Sequence, residues 1–176
     1  MKGNIAACWA FTRAEEGGFS DDRNDPGNWT GGAVGRGFLR GTKYGISASA
    51  YPALDVANLT EEFAEMLFRR DYWTPLCCDG LAPGVDLLAA DFAFTSGAGT
   101  SARCLQEAVG VMEDGRIGPI TLAAVARVPA EDLIKRLEHA HEEHYEANRN
   151  FARYGKVWIG RSTKALAVAL EMAEIA

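Results

Sequence analysis

The chain has 176 residues, of which 48% are hydrophobic and 24% charged, and its formal net charge at pH 7 is −6. That balance describes one core-forming domain over residues 1–176 and excludes a disordered or low-complexity protein. The acidic charge disfavours a nucleic-acid partner, and no apolar run approaches the roughly 20 residues that span a bilayer, so stable membrane insertion is not expected.

In chain order, Asn4 to Ala14 places Ile5, Cys8, Trp9 and Thr12 at helical spacing, and Glu15-Glu16 close that helix before Gly17-Gly18. Glu16 therefore stands where helix gives way to loop. The negative end of the helix dipole there, and partial burial beside Phe19 or Trp29, would favour the protonated form of its carboxyl. From Ser20 to Tyr44 the glycine density forbids a regular helix and predicts a small twisted hairpin or a set of turns, with residues 33–39 (A-V-G-R-G-F-L) as a weak strand candidate. Arg36, Arg40 and Lys43 make this stretch locally basic, and Arg69-Arg70 add cations elsewhere. Ile46 to Tyr51 reads as one helical turn stopped by Pro52. Asn58 followed by Glu61 reads as a capping pair for a helix whose inner face is Leu59, Phe63, Met66, Leu67 and Arg70, running through R-R-D-Y-W toward Pro75.

The second half predicts helices throughout. Pro83-Gly84 is a turn, and Val85 to Thr95 is apolar on nearly every face, as a central helix must be. Ser101 to Val109 comes next, then a D-G-R-I-G-P turn leading to Pro119 in the first position of a helix over 120–127. A long helix from Ala130 to Phe151 and a last one over 162–175, with Leu166, Leu170 and Ala173 on one side, complete a mostly helical α+β arrangement. Within the one domain, residues 1–84 are expected to form one lobe and the helical residues 85–176 another.

Cys8, Cys77, Cys78 and Cys104 match no zinc spacing and read as free thiols. His139, His141 and His144 beside Glu142 and Glu143 lack the H-E-x-x-H order, so this charged helix reads as a solvated face and no metal is expected. T-S-G-A-G-T-S at 95–101 lacks the nucleophile elbow of a serine hydrolase. What remains is carboxylate chemistry. Cleaving a glycosidic bond takes one carboxylic acid to protonate the leaving oxygen and usually a second carboxylate across the sugar. Glu16 can be the first, and Asp21, Asp22 and Asp25 lie within nine positions downstream. Asp25 before Pro26-Gly27 is equally typical turn chemistry.

These residues carry a resemblance. E-G-G-F-S-D-D-R-N-D-P-G (16–27), T-K-Y-G-I-S (42–47) and R-R-D-Y-W (69–73) together resemble glycoside hydrolase family 108, the phage-type N-acetylmuramidases. D-F-A-F-T-S-G (91–97), L-Q-E-A-V-G (105–110) and D-G-R-I-G-P-I-T (114–121) are similar to the C-terminal region known as a predicted peptidoglycan-binding segment. The resemblance implies a lysozyme-like fold with a small glycine-rich β region, and cofactor-free hydrolysis of the β-1,4 bond between N-acetylmuramic acid and N-acetylglucosamine. It puts the catalytic acid on Glu16. Asp25 and a threonine would hold the attacking water. Thr42, placed before Gly45-Ile46 as in the family, is preferred, while Thr30 is nearer Asp25 in sequence. Asp22, Thr30, Tyr44, Tyr51, Trp73, Asp91 and Ser96 are the expected substrate contacts, with Trp29 a further candidate for the groove. The chain departs from the family where D-P-G-G becomes D-P-G-N, where a longer glycine-rich insert precedes Gly45-Ile46, and where N-S-G becomes Thr95-Ser96-Gly97.

The implied protein is a monomeric phage or prophage endolysin whose partner is bacterial peptidoglycan. Because M-K-G-N-I-A-A-C opens the chain with only a short apolar stretch, the enzyme is expected to wait in the host cytoplasm until a holin-type pore admits it to the wall. The alternatives are a lytic transglycosylase, a non-catalytic wall-binding or phage structural module, and a secreted antibacterial effector.

Overall fold

Eleven residues with good helical spacing make the first element, α1 (Ile5–Glu15), in a computed structural model that describes residues 4–175. The leader reading rests partly on residues 1–3, which lie outside the described residues. The later helices are α2 (Glu61–Phe68), α3 (Val85–Ser96), α4 (Ala98–Ala108), α5 (Pro119–Val125), α6 (Ala130–Glu146) and α7 (Phe151–Ile175). Between α1 and α2 lies a two-stranded antiparallel sheet, β1 (Thr42–Lys43) and β2 (Ile46–Ser47). This is the expected α+β class, mostly helix with a minimal sheet.

The chain forms two compact units. One is Trp9–Leu67; the other takes the residues up to Cys8 and everything from Phe68 onward. The units part at residue 67, whereas the expected lobes part at 84.

In the larger unit α3 is the axis. Every residue from Val85 to Ala93 is buried, which explains why its sequence has no polar face. Ala89, Ala90 and Ala93 let neighbours approach closely, and the Ser101 hydroxyl on α4 donates to the Ala89 carbonyl at 2.7 Å. Leu105, Leu133, Ile134 and Leu137 bring α4 and α6 into the same core; truncating any of them to alanine would cost about 2–5 kcal/mol. The buried side of α7 is Ser162, Ala165 and Ala169 rather than the larger leucines expected there, with Leu166 and Leu170 half-buried beside it. The reason is contact distance. Gly84 has φ +86°, and a Cβ at that position would collide with the Ala169 carbonyl, so only small residues fit.

Four local expectations change. Residues 33–39 form no strand: Gly35 and Gly37 have positive φ and the segment is the tip of a looped hairpin. Ile46 and Ser47 are strand, and only the Tyr51 N–H to Ser47 carbonyl bond (3.0 Å) remains of the expected helical turn. Thr60, not Asn58, caps α2 by accepting the Phe63 N–H at 3.2 Å; Asn58 instead donates to Asp55 at 2.9 Å. Finally, α6 stops at Glu146 and α7 begins at Phe151, because Asn148 accepts the Asn150 N–H at 2.9 Å in a turn. Gly155 and Gly160 are absorbed into α7 without breaking it, and the Phe151 ring occupies the space where a Gly155 side chain would stand.

Candidate active site

The Trp9–Leu67 unit builds its polar centre by backbone pairing of short irregular segments. Glu16 lies one residue past α1, half-buried, with its N–H on the Arg13 carbonyl at 3.2 Å. Four residues on, Ser20 pairs with Thr42 through both backbone groups: the Ser20 N–H donates to the Thr42 carbonyl (2.9 Å) and the Thr42 N–H to the Ser20 carbonyl (2.8 Å). Thr42 also stands opposite Ser47 across β1 and β2. Directly opposed residues of antiparallel segments project to one face, so Ser20, Thr42 and Ser47 form a row of hydroxyls. Ser49 extends it, 3.0 Å from the Ser47 hydroxyl.

Asn28 is the hub beneath that row. It is fully buried, accepts the Thr42 hydroxyl at 2.7 Å, and donates its side-chain amide to the Asp22 carbonyl at 3.0 Å. Its own carbonyl takes the N–H groups of Arg40 (2.9 Å) and Gly41 (3.1 Å). One amide thereby fastens the acidic loop to the strand that carries Thr42. Sequence reading noted residue 28 only as a departure from D-P-G-G, and passed over Ser20, Ser47 and Ser49. A lone asparagine after a D-P-G turn was the available signal, but its Thr42 partner lies 14 residues away.

Asp25 is exposed and opens a short 3₁₀ turn (Pro26–Asn28), accepting the Gly27 N–H on Oδ1 at 2.8 Å. Its Oδ2 has no partner among the described residues, so one carboxylate oxygen remains available. Asp22 turns the chain in the same way, taking the backbone and side-chain N–H groups of Asn24 at 2.9 and 3.2 Å. The two threonines differ in what they have left to offer. The Thr42 hydroxyl donates to Asn28, which leaves its oxygen to accept a proton from water. The Thr30 hydroxyl accepts the Phe38 N–H at 2.9 Å, which leaves its proton to donate.

Tyr44 and Gly45 form the two-residue turn between β1 and β2, both with positive φ (53° and 73°). That is the turn whose twist matches a tight hairpin, and it normally takes Asn-Gly. A tyrosine there is strained and half-buried, with the Lys43 ammonium 5.4 Å from its ring centre. Tyr51 is half-buried, and the Trp29 indole N–H is held by the Arg23 carbonyl at 3.0 Å. A shallow groove of about 440 Å³ in this unit is lined by Phe19, Asp21, Leu39, Arg40, Asp55 and Ala57.

The remaining expected contacts belong to the other unit, and two are corrected. Trp73 is fully buried and donates its indole N–H to Asp79 at 3.0 Å; with no exposed face it is a core residue, not a wall of a sugar groove. Asp91 is 5% exposed and engaged by the Arg161 guanidinium through two bonds of 2.7 and 3.0 Å, so its carboxylate holds helices together instead of meeting substrate. Ser96 lines a second pocket of about 440 Å³ with Thr95, His144, Tyr145, Trp158 and Arg161. The D-G-R-I-G-P segment is fastened by Gln106, whose amide bonds Asp114 (2.7 Å) and the Arg116 carbonyl (3.0 Å) while its oxygen takes the Gly115 N–H (2.9 Å). All four cysteines are free; burial pushes the Cys8, Cys78 and Cys104 thiols upward, Cys104 to about 11, so none of these three is a ready nucleophile.

Comparison with known proteins adds an independent line. Residues 9–97 match the Glycosyl hydrolase 108 family. A solved structure described as that of Brucella abortus SagA is 31% identical, with 98% of this chain and 97% of that one aligned at a TM-score of 0.83. No curated protein matches.

Proposed function

We propose that this chain, which belongs to the glycosyl hydrolase 108 family and is a glycoside hydrolase of peptidoglycan, is an N-acetylmuramidase that works through Glu16. The observation that carries the reading is local. Glu16 sits at a helix end, four residues from Ser20; the two Ser20–Thr42 backbone bonds tie that segment to the Thr42 strand, and Asn28 ties the strand to the acidic loop. A proton donor, a carboxylate with an uncommitted oxygen and an acceptor hydroxyl thus arise from one small folded region.

In this mechanism Glu16 gives its proton to the glycosidic oxygen as the bond to the muramic C1 breaks and oxocarbenium character develops. Asp25 accepts one proton of the incoming water, and the Thr42 oxygen holds the other, so the water lone pair faces C1. Thr30 is the alternative second group. The new C1–OH bond completes a hydrolysis with no cofactor, and the cycle closes when Asp25 releases its proton to solvent and Glu16 regains one. The burial of Asp91 and Gln106 supports reading residues 91–121 as core of the helical unit rather than as a separate wall-binding segment.

Purified peptidoglycan digested by wild type and by Glu16→Gln tests this. Wild type should release a muramic reducing end, and the variant should be slower by about 10³-fold. A 1,6-anhydro product would assign a lytic transglycosylase, and binding without cleavage by wild type would assign a wall-binding or phage structural module. We extend the reading to a phage or prophage endolysin acting as a monomer after release through a pore, supported by the resemblance to phage-type muramidases. Lysis by the protein expressed without any pore would overturn that route, and export by a dedicated secretion machine would assign an antibacterial effector.

A further inference from the structure

The segment between Trp29 and Gly41 does something the catalytic reading does not require. It is a closed finger. Trp29 bridges Leu39, the Thr30 N–H donates to the Phe38 carbonyl at 2.9 Å, the Phe38 N–H returns to the Thr30 hydroxyl, and the Gly31 N–H reaches the Arg36 carbonyl at 3.1 Å. Its glycines are compulsory: a Cβ on Gly31 would meet the Arg36 side chain and carbonyl at 2.6 and 2.8 Å, and one on Gly37 would strike the Thr30 hydroxyl. A segment so fixed nonetheless keeps large apolar groups in water, with Phe38 71% and Val34 55% exposed. Two large apolar side chains held out together on one tightly hydrogen-bonded loop make a contact surface.

Its charge says what the surface meets. Between Asp25 and Asp55 the sequence has no carboxylate and three cations, Arg36, Arg40 and Lys43, in a protein of net charge −6. The Arg40 guanidinium lies 5.8 Å from the Phe38 ring centre and donates to the Leu54 carbonyl at 3.3 Å, and the Lys43 ammonium donates to the Ala57 carbonyl at 3.1 Å. Among the described residues the exposed Arg36 guanidinium has no side-chain or backbone acceptor. Cations interleaved with an exposed aromatic face suit a polymer that carries both carboxylates and pyranose rings.

We infer that this finger is a recognition element for carboxylate-bearing glycan strands, Arg36 pairing with stem-peptide carboxylates while Phe38 lies against a sugar face. The inference rests on the muramidase reading for its substrate class, and it makes the finger a determinant of binding rather than of chemistry.

The test is co-sedimentation of the full chain, as Glu16→Gln to prevent digestion, with intact peptidoglycan and with the same material whose carboxyl groups have been amidated. Binding to intact wall should weaken as salt is raised, and Arg36→Glu should lower it about three- to tenfold at low salt. Phe38→Ser should lower binding to both materials, and Arg36→Glu should not alter binding to amidated wall. Equal affinity for intact and amidated wall, or unchanged binding by Arg36→Glu with an unchanged melting temperature, overturns the inference. So does tighter binding to phosphatidylglycerol vesicles than to wall, which would make the finger a lipid contact. Absence of cleavage by wild type with finger-dependent binding retained would strike the muramidase reading alone.

Discussion

In the helical unit, Asp86, Asp91 and Gln106 are each at most 5% exposed, and each is answered: Asp86 by Asn4 and two backbone N–H groups, Asp91 by Arg161, Gln106 by the 114–116 turn. In the Trp9–Leu67 unit the polar side chains are mostly exposed, and Asp22 and Asp25 spend their hydrogen bonds within their own loop. The contrast teaches where chemistry can reside. A buried, fully paired carboxylate is a fastener, since any new partner must first break a desolvated bond. An exposed carboxylate whose loop is held by one of its oxygens is positioned yet still has the other to use.

The comparison can be broken first at the fastener. Arg161→Ala leaves the Asp91 charge buried and should destabilise the protein by about 3–5 kcal/mol in chemical denaturation, far more than any exposed Asp in the other unit. The same treatment of Asp25, by substitution with Ala, should cost about 1 kcal/mol as a lost cap. Equal losses at the two sites would erase the distinction.

Acid separates the units next. Burial, with a smaller contribution from His144, holds the His141 imidazole down to about 3 from its ordinary 6.5. The unfolded chain binds that proton below about pH 6.5 while the native chain refuses it until near 3, so this contribution to stability is complete above 6.5 and is lost as pH falls. Glu138 has the opposite sign: burial raises its carboxyl above 4.5, and its contribution is lost as pH rises through the raised value. His141→Leu should therefore show a smaller drop in Tm between pH 6.5 and 4 than wild type. An identical drop would mean that His141 is not the acid-sensitive group.

Smaller effects sharpen the active site. Thr42→Val leaves the buried Asn28 acceptor unpaired and should cost about 1–3 kcal/mol. It should also reduce kcat about tenfold, if Thr42 orients the water. Thr30→Val should spare kcat; the reverse pattern would transfer the role to Thr30. Tyr44→Asn relieves a left-handed backbone and should stabilise by about 0.5–1 kcal/mol, read as a rise in Tm. If it also raises KM for peptidoglycan, the strain is retained for a ring that meets substrate.

Much of the helical unit was legible in the chain. The all-apolar stretch starting at Val85 could only be a buried helix, and Pro119 begins α5 as a first-position proline should. The start of α7 lies at Phe151 rather than 162 because Gly155 and Gly160, poor helix formers by themselves, sit in a helix packed on others, where the lost propensity of about 1 kcal/mol each is overridden. The strand over 33–39 was misread for the opposite reason: its apolar residues mark an exposed finger tip, and periodicity carries no sign for exposure.

By itself the sequence determined the helix that ends just before Glu16, the glycine-rich character of the loop beyond it, the central helix and the family, because these depend on local preferences and on residue order. Only the tertiary structure decided that Trp73 and Asp91 are interior, that Asn28 joins the acidic loop to Thr42, and that Phe38 stands in water. Those facts depend on which distant segments meet, and burial and hydrogen-bond pairing are properties of the meeting rather than of either segment alone.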